Sequence, residues 1–155
     1  MGVLMELFFR RAKEADLPGL VQLLADDELG AGREDTSTPL NPRYTDAFRA
    51  IERNGGNELI VVHSGVALVG MLQLSFVPYL THTGSWRCMI EGVRISREWR
   101  GAGLGSAMIN WAIDQARERG CKIVQLTSDK RRPDAIRFYE TLGFQATHEG
   151  FKLAL

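Results

Sequence analysis

Cysteine is scarce in this chain: Cys88 and Cys121 are the only two among 155 residues. Two thiols and three scattered histidines make neither a disulfide framework nor a classical zinc site, so no metal is expected. The expected setting is a reducing cytoplasm. Long apolar runs are also missing. None approaches the roughly 18 residues that a membrane span needs, so no membrane partner is expected. The stretch from Met1 to Lys13 lacks a charged segment followed by an apolar one, so no signal peptide is expected. Gly2 is followed by Glu6 where a myristoylation signal takes Ser or Thr. Net charge is lacking too. Nineteen Lys and Arg cancel nineteen Asp and Glu, whereas a duplex nucleic-acid binder carries a basic excess, so no nucleic-acid partner is expected. Repeats, linkers and low-complexity tracts are absent.

What is present is the balance of an ordinary globular protein, 45% hydrophobic and 25% charged, in a length that fits a single domain over residues 1–155 with a core of its own. The charge is unevenly spread. Residues 1–60 carry seven basic and eleven acidic side chains, residues 61–86 carry none, and residues 87–132 carry ten basic and five acidic. A basic middle third in a neutral protein points to a small bound anion, although a solvated face with chance clustering reads the same way.

Periodicity divides the chain into elements. Strands are expected over Leu7–Arg11, Glu58–His63, Val66–Val77, Trp86–Ile95 and Lys122–Thr127, with final strands in Gln145–Leu155. Helices are expected over Asp16–Asp27, Tyr44–Arg53, Gly103–Arg119 and Pro133–Leu142. Gly30–Pro42 and Pro78–Ser85 read as loops. This order predicts a mixed α/β domain.

Three local features carry chemistry. In Trp86–Ile95 the apolar residues are Trp86, Cys88 and Ile90, then Val93 and Ile95. A side-chain period of two changes parity only through an extra residue, so a β-bulge is predicted at Glu91-Gly92. Such a bend leaves backbone groups unpaired, beside Glu91; a solvent-facing Glu at a harmless bulge is the other reading. The second feature is Arg100-Gly101-Ala102-Gly103-Leu104-Gly105-Ser106, just ahead of a helix. Glycines let a ligand approach the backbone, and the first free N–H groups of the helix favour an anion. No acid falls between Glu98 and Asp114, and Arg97 and Arg100 add positive charge. No Lys follows the last glycine, so this is not a Walker loop, and Ser106 stands where a dinucleotide fingerprint has its third glycine. A purely structural turn also fits. The third feature is Ala135-Ile136-Arg137-Phe138-Tyr139-Glu140-Thr141-Leu142-Gly143-Phe144, in which Ala135, Phe138 and Leu142 form a core stripe. Tyr139 lies one step off it, either as a core residue or with its hydroxyl toward a cleft.

In this order the three features resemble the GCN5-related N-acetyltransferase (GNAT) superfamily, specifically from Ile90 to Phe144 and more loosely over the whole chain. The spacing within Leu68–Leu155 is also similar to small-amine and aminoalkylphosphonate acetyltransferases of the family. The resemblance implies a mostly antiparallel twisted sheet of six to seven strands with a splayed central pair, about four helices, and acetyl-CoA in the split as co-substrate. Carried over residue by residue, Arg100, Gly101, Ala102, Gly103, Leu104, Gly105 and Ser106 match the pyrophosphate loop. Val93, Arg94 and Ile95 match the strand that pairs with the pantetheine arm. Tyr139 matches the usual general acid, and Glu91 a position where several members place a general base. Arg132 stands where the family often has Asn, and with Lys130 and Arg131 it either meets a CoA phosphate or faces solvent.

The function implied is acetyl transfer from acetyl-CoA to a primary amine of a small molecule, by direct attack in a ternary complex. Glu28–Tyr44 and Pro78–Ser85 would border the acceptor, and neither offers the acidic run that a polybasic peptide needs. A protein or peptide acetyltransferase is the neighbouring alternative, and a non-catalytic acyl-CoA sensor the alternative from another class; a homodimer is compatible with either.

Overall fold

The computed structural model describes residues 6–155; Met1 to Met5 lie outside the described residues, and with them the Gly2 reading and the first part of the leader reading. Five strands are found among the described residues: β1 (Phe8–Arg11), β2 (Asn57–Ser64), β3 (Ala67–Pro78), β4 (Trp86–Ile95) and β5 (Ile123–Leu126). They lie in one sheet in the order β1-β2-β3-β4-β5. The first three pairings are antiparallel. β5 follows a helical crossover, and it begins where β4 begins: the Lys122 N–H donates to the Trp86 carbonyl at 2.9 Å. That is the arrangement of a βαβ unit.

The helices are α1 (Leu17–Ala25), α2 (Glu28–Ala31), α3 (Pro42–Arg53), α4 (Thr81–Gly84), α5 (Leu104–Glu118) and α6 (Pro133–Thr141). The four longer ones are those expected from periodicity. The short α2 and α4 raise the count from about four to six, because each is a single turn inside a stretch whose composition reads as loop. In α2 the Asp27 carboxylate supplies the cap, accepting from the Gly30 N–H at 2.6 Å.

Among the described residues the sheet has five strands and not six to seven. Residues 145–155 carry no strand. They keep a strand's alternation, but Phe151, Leu153 and Leu155 are exposed. Alternation makes a strand only where a neighbour pairs its backbone groups. The chain divides into two compact units, one reaching to Gln125 and one from Leu126 to Leu155. Among the described residues, no helix is long and apolar enough to cross a membrane.

In the larger unit, register decides which residues share a face. Arg10, Val61 and Met71 are aligned across β1, β2 and β3, as are Phe9, Val62 and Gly70. The first face packs against α1 and α3 through Leu17, Leu20, Leu23, Phe48, Val61 and Met71. On the second, Phe9 stacks on Trp111 of α5 with ring centroids 4.6 Å apart, a contact worth ~0.5–1.5 kcal/mol beyond its area burial. Gly70 lets α5 come close: a Cβ there would meet the Met108 sulfur at 2.8 Å and the Arg94 carbonyl at 3.0 Å. At the far end of α5, the buried Glu58 carboxylate is bonded by both Arg11 and Arg119.

Candidate active site

β4 carries the bulge that its parity slip predicts. Gln73 faces Glu91 and Met71 faces Arg94, so Gly92 and Val93 together stand opposite Leu72. Gly92 takes up the extra residue at φ +61, in the left-handed region where a Cβ would crowd the following carbonyl. Glu91 is exposed at this bend, and Val93, Arg94 and Ile95 beyond it are half-buried. Gly70 and Met71 hold one edge of that segment through Ile95 and Arg94. The other edge faces β5, which has four residues against ten in β4. A strand that short spans roughly 13 Å, so β5 accompanies the first part of β4 and not the part past the bulge.

Past β4 the chain makes one 3₁₀ turn, Arg97–Trp99, and enters the glycine turn. Gly101 and Gly103 lie at φ +79 and +80. A Cβ on either would meet no atom within 4 Å, so backbone conformation and not crowding requires glycine there. Arg100, Gly101, Ala102 and Gly103 are exposed, Gly105 and Ser106 are half-buried, and Leu104 is buried and seats the start of α5. Gly103 is the N-cap and brings no side chain, and the first turn of α5 holds no acidic residue. Its opening N–H groups meet no capping side chain, and the positive end of its dipole meets no acid of its own first turn.

The neighbouring arginines are more engaged than their sequence positions imply. Arg97 donates to the Asp26 carboxylate at 3.0 Å. Arg100 donates to the Ile95 carbonyl at 3.1 Å and the Asp26 carbonyl at 3.2 Å, with the Asp26 carboxylate 3.6 Å away. Arg94 donates to the Val93 carbonyl at 2.9 Å and lies 3.6 Å from the Asp27 carboxylate. The end of α1 thus anchors the glycine turn and partly neutralises the two arginines expected to add charge. Nothing local in the sequence couples Asp26 to Arg97.

Of the two stretches expected to border the acceptor, Pro78–Ser85 joins β3 to β4. Residues 73, 75 and 77 of β3 align with 91, 89 and 87 of β4. Gln73, Ser75, Val77, Arg87 and Met89 are half-buried and Glu91 is exposed, while Leu72, Leu74, Phe76, Cys88 and Ile90 on the opposite face are buried. The Ser75 hydroxyl donates to Asn57. Arg87 lies over the Tyr79 ring, 4.2 Å from its centroid, and donates to Gln125 at 3.1 Å. In α4, His82 and Thr83 hold left-handed φ angles of 53° and 61°, which few non-glycine residues adopt. The other stretch is organised by Tyr44, whose hydroxyl donates to Glu34 at 2.9 Å and accepts the Asp35 N–H at 2.9 Å. Burial and the neighbouring Glu34 raise the Tyr44 pKa. Burial alone would raise the Glu34 carboxyl, but bonds from Arg33 and Tyr44 outweigh it and hold it low. Hydrogen bonds from Ser37 and Asn41 draw the Asp35 carboxyl down to about 2.

Tyr139 and Arg132 belong to the smaller unit. Arg132 is half-buried at the N-cap of α6, its N–H donating to the Asp129 carbonyl at 2.9 Å. Arg131 pairs with Asp129 at 2.7 Å and Lys130 with Glu149 at 3.1 Å. Tyr139 is half-buried, edge-on to Phe138 and Phe144 with centroids 5.2 and 5.9 Å away. Gly143, at φ +92, closes α6: its N–H donates to the Glu140 carbonyl, and the Phe144 N–H to that of Tyr139. This is a Schellman cap, and it brings Phe144 back onto Tyr139.

A bulged strand, a glycine turn and a helix with an uncapped N-terminus define a class. The chain belongs to the Acetyltransferase (GNAT) family, whose model matches residues 17–144, and is an acetyl-CoA-dependent N-acetyltransferase of that family. Among its relatives, the aminoalkylphosphonate N-acetyltransferase of Salmonella typhimurium is 33% identical over 99 residues, which are 61% of this chain and 64% of that enzyme. The glucosamine 6-phosphate N-acetyltransferase of Trypanosoma brucei brucei is 29% identical over 158 residues, covering 100% of both chains. The crystal structure of a transcriptional regulator from Bacillus halodurans is 53% identical, with a TM-score of 0.93 over 97% of this chain and 100% of that one.

Proposed function

We propose that this protein transfers the acetyl group of acetyl-CoA to the primary amine of a small molecule, by direct attack within a ternary complex. The observation that carries this reading is the run of β4, the glycine turn and α5. One edge of β4 past Gly92 extends beyond the reach of β5, and it leads into a helix N-terminus that lacks both a capping side chain and an acidic residue. An extended thioester ligand fits the strand edge at Val93, Arg94 and Ile95, and its pyrophosphate fits the N–H groups from Arg100 to Ser106. Arg132 is the proposed further contact to CoA.

Each residue then has a task. A primary amine of Lys-like pKa, about 10.4, is mostly protonated at neutral pH. Glu91 takes that proton, directly or through water. The amine nitrogen forms its bond to the thioester carbonyl carbon, and a backbone N–H near Val93 holds the carbonyl oxygen as charge develops on it. The carbon–sulfur bond breaks, Tyr139 supplies the proton that the thiolate needs, and the second proton that the nitrogen loses on becoming an amide restores the Tyr139 hydroxyl through water. The acceptor lies on the half-buried face between Gln73 and Arg87, bordered by Glu28–Tyr44 and Pro78–Ser85. Two relatives are named for small acceptors, an aminoalkylphosphonate and glucosamine 6-phosphate, in keeping with a small amine here.

The test is thiol release from acetyl-CoA with a panel of aminosugars, amino acids, aminoalkylphosphonates and Lys-rich peptides. Faster reaction of a small amine than of any peptide is expected. A panel in which only peptide amines react overturns the acceptor assignment, and one in which no amine reacts overturns the reaction.

A further inference from the structure

Arg87 takes no part in those steps, yet its guanidinium is fixed on the acceptor face. The Tyr79 ring lies beneath it, Nη1 donates to Gln125 at 3.1 Å and Nη2 to Thr81 at 3.4 Å. Its Nε is buried and makes no hydrogen bond among the described residues. Other arginines of the larger unit stand against carboxylates: Arg94 against Asp27 at 3.6 Å, Arg97 against Asp26 at 3.0 Å and Arg119 against Glu58 at 2.5 Å. The partners of Arg87 are an aromatic ring, an amide and a hydroxyl, all neutral. Among the described residues no carboxylate pairs with it, and its charge is partly withdrawn from water, which is unfavourable until an anion arrives.

A guanidinium offers five N–H donors in a planar fork that matches an oxyanion, and only two are engaged here. Arg87 also shares its strand face with Glu91, at two-residue spacing through Met89. Four residues of strand separate the two by roughly 13 Å along the backbone, and the long side chains close part of that gap. Gln125 lies past Lys122, the residue paired with Trp86, so the guanidinium leans along β5 in the direction of the bulge.

We propose that Arg87 binds an oxyanion carried by the acceptor, so that the substrates are primary amines bearing a phosphonate, phosphate or carboxylate at the end away from the amine. The amine end of this assignment rests on the acetyl-transfer reading above; the oxyanion end rests on Arg87.

The experiment compares three acceptors of one chain length: an aminoalkylphosphonate, the amino acid with a carboxylate in its place, and the amino alcohol. Wild-type kcat/KM should be roughly tenfold or more higher for at least one oxyanion acceptor than for the alcohol, and the better of the two names the group. Arg87→Gln should lower that kcat/KM by roughly 10–100-fold, mainly through KM, while leaving the alcohol within about twofold. Arg87→Lys, which keeps the charge and loses the fork, should fall between. No wild-type preference, or an equal loss on the alcohol, overturns the proposal. A second measurement needs no turnover: calorimetric binding of an alkylphosphonate that lacks the amine. Arg87→Gln should weaken it by roughly tenfold, and unchanged affinity, or no binding to the wild type, overturns the oxyanion site. Arg87-dependent binding without acetylation of any acceptor supports that site and defeats the acetyl-transfer reading instead.

Discussion

A tyrosine hydroxyl, with a pKa near ~10, is a weak enough acid to stay protonated at neutral pH and a strong enough one to meet a departing thiolate. The ring of Tyr139 is held edge-on between Phe138 and Phe144, so its removal to phenylalanine changes only the hydroxyl. Tyr139→Phe should lower turnover by roughly 10²-fold or more with acetyl-CoA binding nearly intact; wild-type turnover in that variant would transfer the proton to water or another group. A second residue reports on the stretch between α2 and α3. Asp35 has a folded pKa drawn down to about 2 by Ser37 and Asn41, from an ordinary 3.8. A depressed carboxyl contributes its stabilisation fully above the unfolded value, and the contribution is lost as pH falls through the folded one. Between about 3.8 and about 2, then, the Asp35 turn should loosen. Carboxyl-carbon NMR should show Asp35 titrating near 2, and a midpoint near 3.8 would mean that the Ser37 and Asn41 bonds do not form in solution.

At the scale of elements, β4 and α5 are two parts of one device. The bulge interrupts the ladder at Gly92 and Val93 before pairing resumes at Arg94, and the glycine turn that follows β4 opens a helix with no capping side chain. Gly92 is what permits the first. Forcing a β-branched side chain into its φ of +61° should cost roughly 1–3 kcal/mol. Gly92→Val is expected to lower the urea midpoint accordingly and to weaken acetyl-CoA binding with it. Equal stability in that variant would show that the strand can lie flat there at no cost. On the other side of the sheet, Gly70 has a different task. It admits Met108 of α5 to near contact with the backbone, which sets how closely the helix carrying the glycine turn lies on the strands.

For the molecule as a whole, a ligand that binds only the folded state stabilises it by mass action. Acetyl-CoA at about a hundredfold over Kd should contribute about 2.7 kcal/mol, which for a chain of this size raises the melting temperature by roughly 5–10 °C. Gly103→Glu places bulk and negative charge where α5 leaves its N–H groups open, and should abolish that rise while the apo protein still unfolds cooperatively. An undiminished rise would remove the glycine turn from the cofactor site. The same charge logic extends to salt. With nineteen basic and nineteen acidic residues, the long-range field is weak, so the proposed anion binding at the turn and at Arg87 would be local and should be only modestly screened.

Local rules were enough for much of this. A parity slip over Trp86–Ile95 is visible in ten letters because side-chain alternation is a backbone property, and the bulge at Gly92 follows from it. The cap at Gly143 is equally local, since a left-handed residue must end a helix that continues no further. Alternation in Phe151, Leu153 and Leu155 was just as legible, yet those residues form no strand, because pairing is decided by a partner far away in the chain. The ties from Asp26 to Arg97 and from Arg87 to Gln125 bridge separations of 71 and 38 residues. No spacing rule reaches so far: which arginine meets a carboxylate and which meets an amide and a ring depends on how distant segments are brought side by side, and only the packed sheet and its helices do that.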